Sequence, residues 1–224
     1  MLYKYFLFDF DGTVADTVPL IMETFRHVFK VSGGEPVSDD YLLSTIGEPL
    51  EKTFDVLPRE LRQRALEEYF AYNRSHLDHG VGIFYRLIRA IEEIKDIGGV
   101  TGLVTSKRHE SAFHTIEQFG IGYLFDQITV REDTSRHKPH PDPVLEAIRR
   151  ISEKTGNRND IILNEVLFVG DSIHDLVSAK RAGTHTAIVD WTHMDRSVLI
   201  EAAPEHWIKD PSELVEMCYR TKEK

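Results

Sequence analysis

Short apolar runs, each ending in a polar residue typical of turns, recur along the chain. The four clear runs are residues 3–8, 100–104, 166–169 and 186–189. A weaker fifth run, residues 127–130, has the same character. Runs this short that are bounded by turn residues predict strands buried on both faces, as in a parallel sheet.

Helical patterns alternate with these strands from about residue 82 onward. Residues 86–97 carry leucine and isoleucine at helical spacing, and two glycines end the pattern. Further helices are predicted at residues 111–119, 142–151 and 175–182. Alternating strands and helices indicate right-handed βαβ units, so we expect an α/β fold with a doubly wound, Rossmann-like parallel sheet.

Residues 16–81 break this alternation, because they carry helical patterns and no clear strand. The helical stretches are residues 19–31, 39–44, 50–56 and 60–76. A helical block between the first strand and the later βα units is typical of an inserted cap. We therefore predict a core domain of residues 1–15 and 82–224 and an α-helical cap domain of residues 16–81. The hinges are expected around residues 15–17 and 80–82.

Composition and charge narrow the class of ligand. Of 224 residues, 41% are hydrophobic and 29% are charged, which is ordinary for a folded protein. The length suits one large domain or one domain with a smaller insert. Lys and Arg number 27 against 37 Asp and Glu, and this net charge of −10 argues against nucleic acid as the main ligand. A small phosphorylated substrate is compatible with this net charge, because a metal ion and a few cationic side chains can make the electrostatic potential inside one cleft positive.

Neither a membrane segment nor an export signal is predicted. No run approaches the roughly 20 apolar residues of a membrane helix, and the apolar start meets Asp9 without a small-residue cleavage site. Cys218 is the single cysteine, so no disulfide forms within the chain. We expect a cytoplasmic protein, whose oligomeric state these patterns leave open.

Asp9 and Asp11, in the segment D-F-D-G-T, follow the first predicted strand. Two carboxylates beside a buried strand are costly unless a cation compensates them, and Mg²⁺ prefers such oxygen ligands. Asp9 is a candidate metal ligand and nucleophile, and Asp11 a candidate general acid and base. Gly12 permits a tight turn that directs backbone N–H groups at a phosphate. The alternative is a solvated turn.

Polar groups also follow two later strands. Thr105 and Ser106 could form an anion site at a strand-to-helix turn, or simply cap the next helix. Lys138 lies among prolines in R-H-K-P-H-P-D-P, where it could neutralise a nucleophile and phosphate oxygens, or be an ordinary surface lysine.

Asp171 and Asp175 follow the strand at residues 166–169. On a helix they would share a face, where two like charges are unfavourable without a cation, and this favours metal binding. The alternative is that they are acidic residues stabilised by the dipole at a helix N-terminus. Because the carboxyl ends of parallel strands form one crevice, we expect all these groups to meet there.

These segments resemble the motifs of the haloacid dehalogenase superfamily of phosphohydrolases. D-F-D-G-T at residues 9–13 is similar to the first motif, Thr105 to the second, Lys138 to the third, and G-D-x-x-x-D at residues 170–175 to the fourth. The resemblance covers essentially the whole chain, including a helical cap between the first and second motifs.

The resemblance implies a role for each matched residue. Asp9 would be the nucleophile and a Mg²⁺ ligand, and Asp11 the acid and base whose backbone carbonyl also binds the metal. Thr105 and Lys138 would hold the phosphoryl oxygens. Asp171 would bind Mg²⁺, with Asp175 in or next to the metal shell.

Within the superfamily the chain looks most like phosphoglycolate phosphatases and cytoplasmic pyrophosphatases. T-S-K at residues 105–107 resembles their second motif, and I-G-E-P-L-E-K-T-F at residues 46–54 their cap loop. Ser172 departs from the Asn or Thr usual at its position. We expect a Mg²⁺-dependent phosphatase acting on a phosphoglycolate-type phosphomonoester or on pyrophosphate. Gly47 and Glu48 of the cap, with Ser106, are expected to contact the substrate.

Other functions stay open. A β-phosphoglucomutase-like mutase shares the four motifs, although Lys107 fits the phosphatases better. A non-catalytic sensor of a phosphorylated ligand is a second alternative. The segment of Lys107, Arg108 and His109 could add positive potential near the phosphate or simply lie on the surface of the helix after Thr105. Two histidine pairs, His76 with His79 and His137 with His140, raise the question of a zinc site. We expect them to be solvated or helix-capping side chains, because structural zinc usually takes four protein ligands and often thiolates.

Overall fold

A six-stranded sheet lies at the centre of the computed structural model, which describes residues 2–33, 35, 37–155 and 161–218. In chain order the strands are β1 (Tyr5–Phe8), β2 (Ala15–Asp16), β3 (Gly82–Ile83), β4 (Val100–Val104), β5 (Gln127–Thr129), β6 (Val166–Gly170), β7 (His185–Val189) and β8 (His206–Ile208). The large sheet has the order β5-β4-β1-β6-β7-β8 and is parallel throughout. This confirms the predicted α/β class.

Helices cover both faces of the sheet. In chain order they are α1 (Val18–Ser32), α2 (Asp39–Thr45), α3 (Leu50–Thr53), α4 (Arg59–Gly80), α5 (Tyr85–Asp96), α6 (His109–Phe119), α7 (Asp142–Lys154), α8 (Ile173–Ala182), α9 (Arg196–Glu201) and α10 (Ser212–Glu216). Apolar side chains of α5, α6 and α10 pack on one face, and those of α7 and α8 on the other.

Strand β1 shows why the sheet is buried on both sides. Phe6 and Phe8 pack toward α5 and α10, whereas Tyr5 and Leu7 pack toward α7 and α8. Successive side chains of a strand point to opposite faces, so a strand covered on both sides needs an unbroken apolar run. Because β1 lies between β4 and β6, the next residue, Asp9, is placed at the middle of the carboxyl edge of the sheet.

Helices α1 to α4 lie between β2 and β3 and share an apolar cluster of their own. Phe25 of α1 is central to it, with ring centroids 6.1 Å from Phe54 and 5.2 Å from Tyr69. Strands β2 and β3 pair antiparallel where the hinges are predicted. The division of the chain into a core domain and a cap domain of residues 16–81 stays a prediction.

Several short elements differ from the sequence prediction. The strand pair β2–β3, the edge strand β8 and helices α9 and α10 were not predicted. The helix predicted at residues 50–56 ends earlier, because α3 gives way to a 3₁₀ turn at Phe54–Val56. Among the described residues, no helix has both the length and the apolar character needed to cross a membrane.

Candidate active site

Asp9 directly follows the central strand β1 and is buried. Its backbone N–H donates a 2.9 Å hydrogen bond to the carbonyl of Val169, which continues the β1–β6 ladder by one residue. The residue is only 6% exposed, so it does not lie in a solvated turn. A carboxylate this deep needs compensating positive charge or hydrogen-bond donors.

Lys138 supplies part of that compensation. Its side chain is 1% exposed, and its Nζ donates to Asp9 Oδ1, to Asp175 Oδ1 at 2.7 Å and to the Val104 carbonyl at 3.2 Å. The structure therefore places Lys138 inside the site rather than on the surface. Its three donor positions are matched to three acceptors, which fixes the ammonium between the two carboxylates.

Asp171 and Asp175 reach the same point from the end of β6. Ser172 begins α8 as its N-cap, and the Asp175 carboxylate accepts from the Ser172 backbone N–H at 3.1 Å and hydroxyl at 2.6 Å. Asp171 precedes this cap, so the two acids do not share a helical face as the spacing suggested. They meet because the cap turns Asp175 back toward the strand end.

Three carboxylates face one another there. One oxygen from each of Asp9, Asp171 and Asp175 lies within 4.8 Å of the others. Burial, with the nearby Asp175 carboxylate, raises the pKa of Asp9 to about 7 despite the opposing effect of Lys138. Burial and the charges of Asp175 and Asp9 also raise the pKa of Asp171 well above its usual value.

The charge balance of this cluster fits a divalent cation. Burial alone would lower the pKa of the Lys138 ammonium, but Asp175 and Asp9 raise it above its ordinary value, so it stays charged. One ammonium against three carboxylates leaves an excess of negative charge. Carboxylate oxygens are the ligands that Mg²⁺ prefers, so the residues present suit that ion.

Gly12 lets the first motif approach this cluster closely. Its φ is +82°, a left-handed conformation that glycine adopts without strain, and an added Cβ would overlap the Asp171 carboxylate. Thr13 Oγ1 donates to Asp171 Oδ1 at 3.3 Å from the same turn. The turn therefore brings the ends of β1 and β6 together.

Asp11 lies apart from the three clustered carboxylates. Its Oδ1 accepts from Lys107 Nζ at 2.8 Å and from Thr17 Oγ1 at 2.6 Å. The structure thus answers one question left by the sequence, since Lys107 pairs with Asp11 at the cleft wall. Asp11 lines the cleft, two residues after Asp9 in the same motif.

Thr105 and Ser106 follow β4, as predicted, but neither caps a helix. Helix α6 begins at His109 with Arg108 as its N-cap, and Thr105 Oγ1 instead accepts from the Lys107 backbone N–H at 3.0 Å. Ser106 Oγ donates to the Gly47 carbonyl at 2.8 Å. The loop after β4 is therefore joined to the loop between α2 and α3.

Glu48 follows Gly47 on that loop. Its Oε1 lies 3.0 Å from Lys52 Nζ and 3.5 Å from His174 Nδ1, and its side chain is 16% exposed. Gly47 has a φ of +92°, and a Cβ there would approach Ser172 Oγ to 3.3 Å. Gly47 thus lies close to both the second and the fourth motif, and Glu48 lies close to the fourth.

A cleft of about 800 Å³, partly open to solvent, separates helices α1 to α4 from the sheet edge. The predicted site residues on its wall are Asp9, Asp11, Gly47, Glu48, Thr105 and Ser106. Lys138, Asp171 and Asp175 are buried next to Asp9 and do not line the cleft wall. Apolar side chains, among them Phe25 and Leu50, line the opposite wall.

Sequence reasoning missed several residues of this cleft, including Arg131, Glu51 and Tyr69. Arg131 lies two residues after the end of β5, so the strand-end rule that selected Thr105 could have found it. Burial and the charge of Asp11 raise the pKa of Tyr69. The histidine pairs form no metal-ligand group in the part of the chain that the structure describes.

The chain is similar to known proteins in both sequence and fold. A family model described as haloacid dehalogenase-like hydrolase matches residues 6–189. Pyrophosphatase PpaX of Oceanobacillus iheyensis is 30% identical over 215 residues, 96% of each chain. A Bacteroides fragilis structure described as a haloacid dehalogenase-like hydrolase has a TM-score of 0.83 at 26% identity, covering 95% of this chain and 99% of that one.

A fourth similarity concerns the fold alone. A structure titled as a predicted phosphoglycolate phosphatase from Haemophilus somnus has a TM-score of 0.82 and 19% identity. It covers 96% of this chain and 97% of that chain. The same arrangement of sheet and helices therefore persists at low sequence identity.

Proposed function

The chain belongs to the haloacid dehalogenase-like hydrolase family, and we propose that it is a Mg²⁺-dependent phosphatase with Asp9 as its nucleophile. The substrate is a small phosphorylated metabolite, either a phosphoglycolate-type phosphomonoester or inorganic pyrophosphate. The observation that carries this proposal is the Asp9 carboxylate, held by Lys138 and facing Asp171 and Asp175 at the floor of the cleft. The similarity to a pyrophosphatase supports pyrophosphate as one candidate.

In the first step an Asp9 oxygen attacks phosphorus. The bond from phosphorus to the leaving oxygen breaks, and Asp11 donates a proton to that oxygen. Asp11 is suited to this role because Lys107 and Thr17 hold its carboxyl group in the wall of the same cleft that Asp9 lines. The products are an aspartyl-phosphate on Asp9 and the free leaving group.

In the second step a water molecule attacks the aspartyl-phosphate. Asp11 now accepts a proton from that water, and the bond between phosphorus and Asp9 breaks to release inorganic phosphate. Lys138 provides positive charge beside the phosphoryl oxygens, and the Thr105 hydroxyl and the Ser106 backbone N–H provide hydrogen-bond donors for them. Closure of the cleft by the helical segment limits access of bulk water.

The Asp9, Asp171 and Asp175 carboxylates, with the Asp11 backbone carbonyl, are the groups we assign to Mg²⁺. When bound, the ion supplies positive charge that offsets these carboxylates and the phosphoryl oxygens. Lys138 alone leaves the cluster with excess negative charge, so an anionic substrate would otherwise be repelled.

Phosphate release from a panel of metabolites, with Mg²⁺ or with a chelator, tests this proposal. We expect Asp9→Asn to lower the turnover on the order of a thousandfold or more, because the amide is not a nucleophile. The exposed Asp40→Asn is the matched control and should behave as the unmodified protein. Equal turnover of Asp9→Asn would contradict the mechanism. Interconversion of sugar phosphates without phosphate release would support the alternative of a phosphosugar mutase. Ligand binding without turnover would support the alternative of a non-catalytic sensor.

A further inference from the structure

Arg131 and Glu51 face each other across the cleft. Arg131 Nη2 lies 3.0 Å from Glu51 Oε1 and 2.9 Å from Oε2, so one guanidinium nitrogen contacts both carboxylate oxygens. Arg131 follows β5 at the sheet edge, whereas Glu51 belongs to α3 on the opposite wall. Both line the same cleft as Asp9. The Glu51 carboxylate therefore occupies the position next to the Arg131 guanidinium, inside the cleft that Asp9 also lines.

The two partners differ in how firmly they are held. The Arg131 side chain is 18% exposed, and its backbone N–H donates to the Lys107 carbonyl at 3.1 Å. Asp133 Oδ2 accepts from the Val130 backbone N–H at 2.8 Å and closes the turn that carries the arginine. The Glu51 side chain is 47% exposed. The more exposed Glu51 side chain can therefore turn toward solvent, while hydrogen bonds hold the backbone that carries Arg131.

Arg108 strengthens the positive potential at this position. Its guanidinium lies 4.0 Å from the centroid of the Phe70 ring, on the same cleft. Burial alone would raise the pKa of Glu51, but a backbone hydrogen bond and the charges of Arg131 and Arg108 hold it below its ordinary value. Two arginines thus favour an anion where the Glu51 carboxylate lies.

We propose that Arg131, with Arg108 beside it, binds a second anionic group of the substrate, and that Glu51 fills this position until the substrate enters. This inference rests on the proposed function and assigns the residues that recognise the leaving group of its substrate. The substrate carries one phosphoryl group at Asp9 and a second phosphate or carboxylate on the leaving group. Guanidinium groups suit both kinds of anion, because their N–H donors match pairs of oxygens.

The ratio of two catalytic efficiencies tests the proposal. One is kcat/KM for phosphoglycolate or pyrophosphate, and the other is kcat/KM for ethyl phosphate, whose leaving group is neutral. Arg131→Gln should lower this ratio about tenfold to a hundredfold, the effect of losing hydrogen bonds between charged groups. Glu51→Gln should raise the ratio, because a neutral amide competes less well for Arg131.

A matched control separates binding from simple closure of the cleft. Arg74 on α4 and Glu110 on α6 form a 2.9 Å ion pair whose side chains are 75% and 72% exposed. Arg74→Gln should leave the ratio unchanged. If Arg131→Gln and Glu51→Gln shift all substrates equally and in the same direction, the pair only holds the cleft closed and the proposal is wrong.

A binding measurement keeps this test independent of turnover. Calorimetric titration of phosphoglycolate and ethyl phosphate into Asp9→Asn, with and without Arg131→Gln, repeats the comparison. We expect the second substitution to weaken phosphoglycolate binding at least about tenfold more than ethyl phosphate binding. Equal weakening would overturn the second anion site. Failure of the proposed function would be recognised separately, as the absence of phosphate release from every substrate by the unmodified protein.

Discussion

At the scale of single residues, the main feature of the site is the electrostatic repulsion among its buried carboxylates. Asp9 and Asp171 repel each other and Asp175, and Lys138 relieves only part of that repulsion. Between the unfolded carboxyl pKa near 4 and the folded pKa of Asp9 at about 7, the native state binds more protons than the unfolded state. The free energy of unfolding therefore falls as pH rises through this window.

Asp171→Asn should make the metal-free protein more stable at neutral pH. The substitution removes one of the repelling charges, and we expect a gain on the order of 1 kcal/mol, or a few degrees in Tm. The gain should shrink as the pH is lowered toward 4, where the carboxyl groups of the unmodified protein are protonated. Thermal unfolding in a chelator at several pH values measures this, with Asp40→Asn as the exposed control.

The Tm of the unmodified protein and of Asp171→Asn should also be compared with Mg²⁺ added. The ion should raise the Tm of the unmodified protein more than that of Asp171→Asn, because the variant has lost one of the proposed ligands. A lower Tm for the metal-free variant at neutral pH would show that the carboxylates do not repel one another as described.

At the scale of elements, the sequence predicted the parts whose local pattern is strong. The apolar runs became β1, β4, β6 and β7, and even the weak run at residues 127–130 became the edge strand β5. Strand β8 was missed because it has three residues, two of them half-buried. The pair β2–β3 was missed because it joins two-residue segments that are distant in the chain.

The same distinction applies to the site. The sequence predicted the site residues that lie at a recognisable strand end or motif, namely Asp9, Thr105, Lys138 and Asp171. The contact between Arg131 and Glu51 joins residues 80 positions apart on different walls. No local pattern encodes such a pair, because it depends on how the helical segment lies over the sheet.

The loop between α2 and α3 should select among substrates through Glu48. We expect Glu48→Gln to change the relative kcat/KM of two substrates by about tenfold, the effect of one hydrogen bond to a charged group. Glu60→Gln on the exposed start of α4 is the control. Unchanged relative efficiencies across a substrate panel would show that Glu48 does not contact the leaving group.

At the scale of the whole molecule, two apolar assemblies lie on either side of the cleft. The cluster shared by α1 to α4 contains only residues from 18 to 69, while the clusters around the large sheet contain none from that range. Asp16 and Gly82 are paired partners in the β2–β3 ladder, so the chain leaves and re-enters the core at one point. This supports the predicted cap domain.

A chain in which a short glycine-containing turn replaces residues 17–81 should therefore fold. The paired ends at Asp16 and Gly82 are close enough for a hairpin turn, and the clusters of the sheet keep all their members. We expect one cooperative thermal transition and a retained rise of Tm with Mg²⁺, but weaker discrimination among substrates. Loss of cooperative unfolding would show that the sheet depends on the helical segment.

Detection of a phosphoryl group on Asp9 tests the account most directly. The protein is mixed with substrate and Mg²⁺, quenched in acid within one turnover, and digested for mass spectrometry. We predict a peptide containing Asp9 that carries the mass of one phosphoryl group, that disappears as turnover completes, and that never forms in Asp9→Asn. Full phosphate release with no adduct at any time, or an adduct on another residue, would contradict Asp9 as the nucleophile.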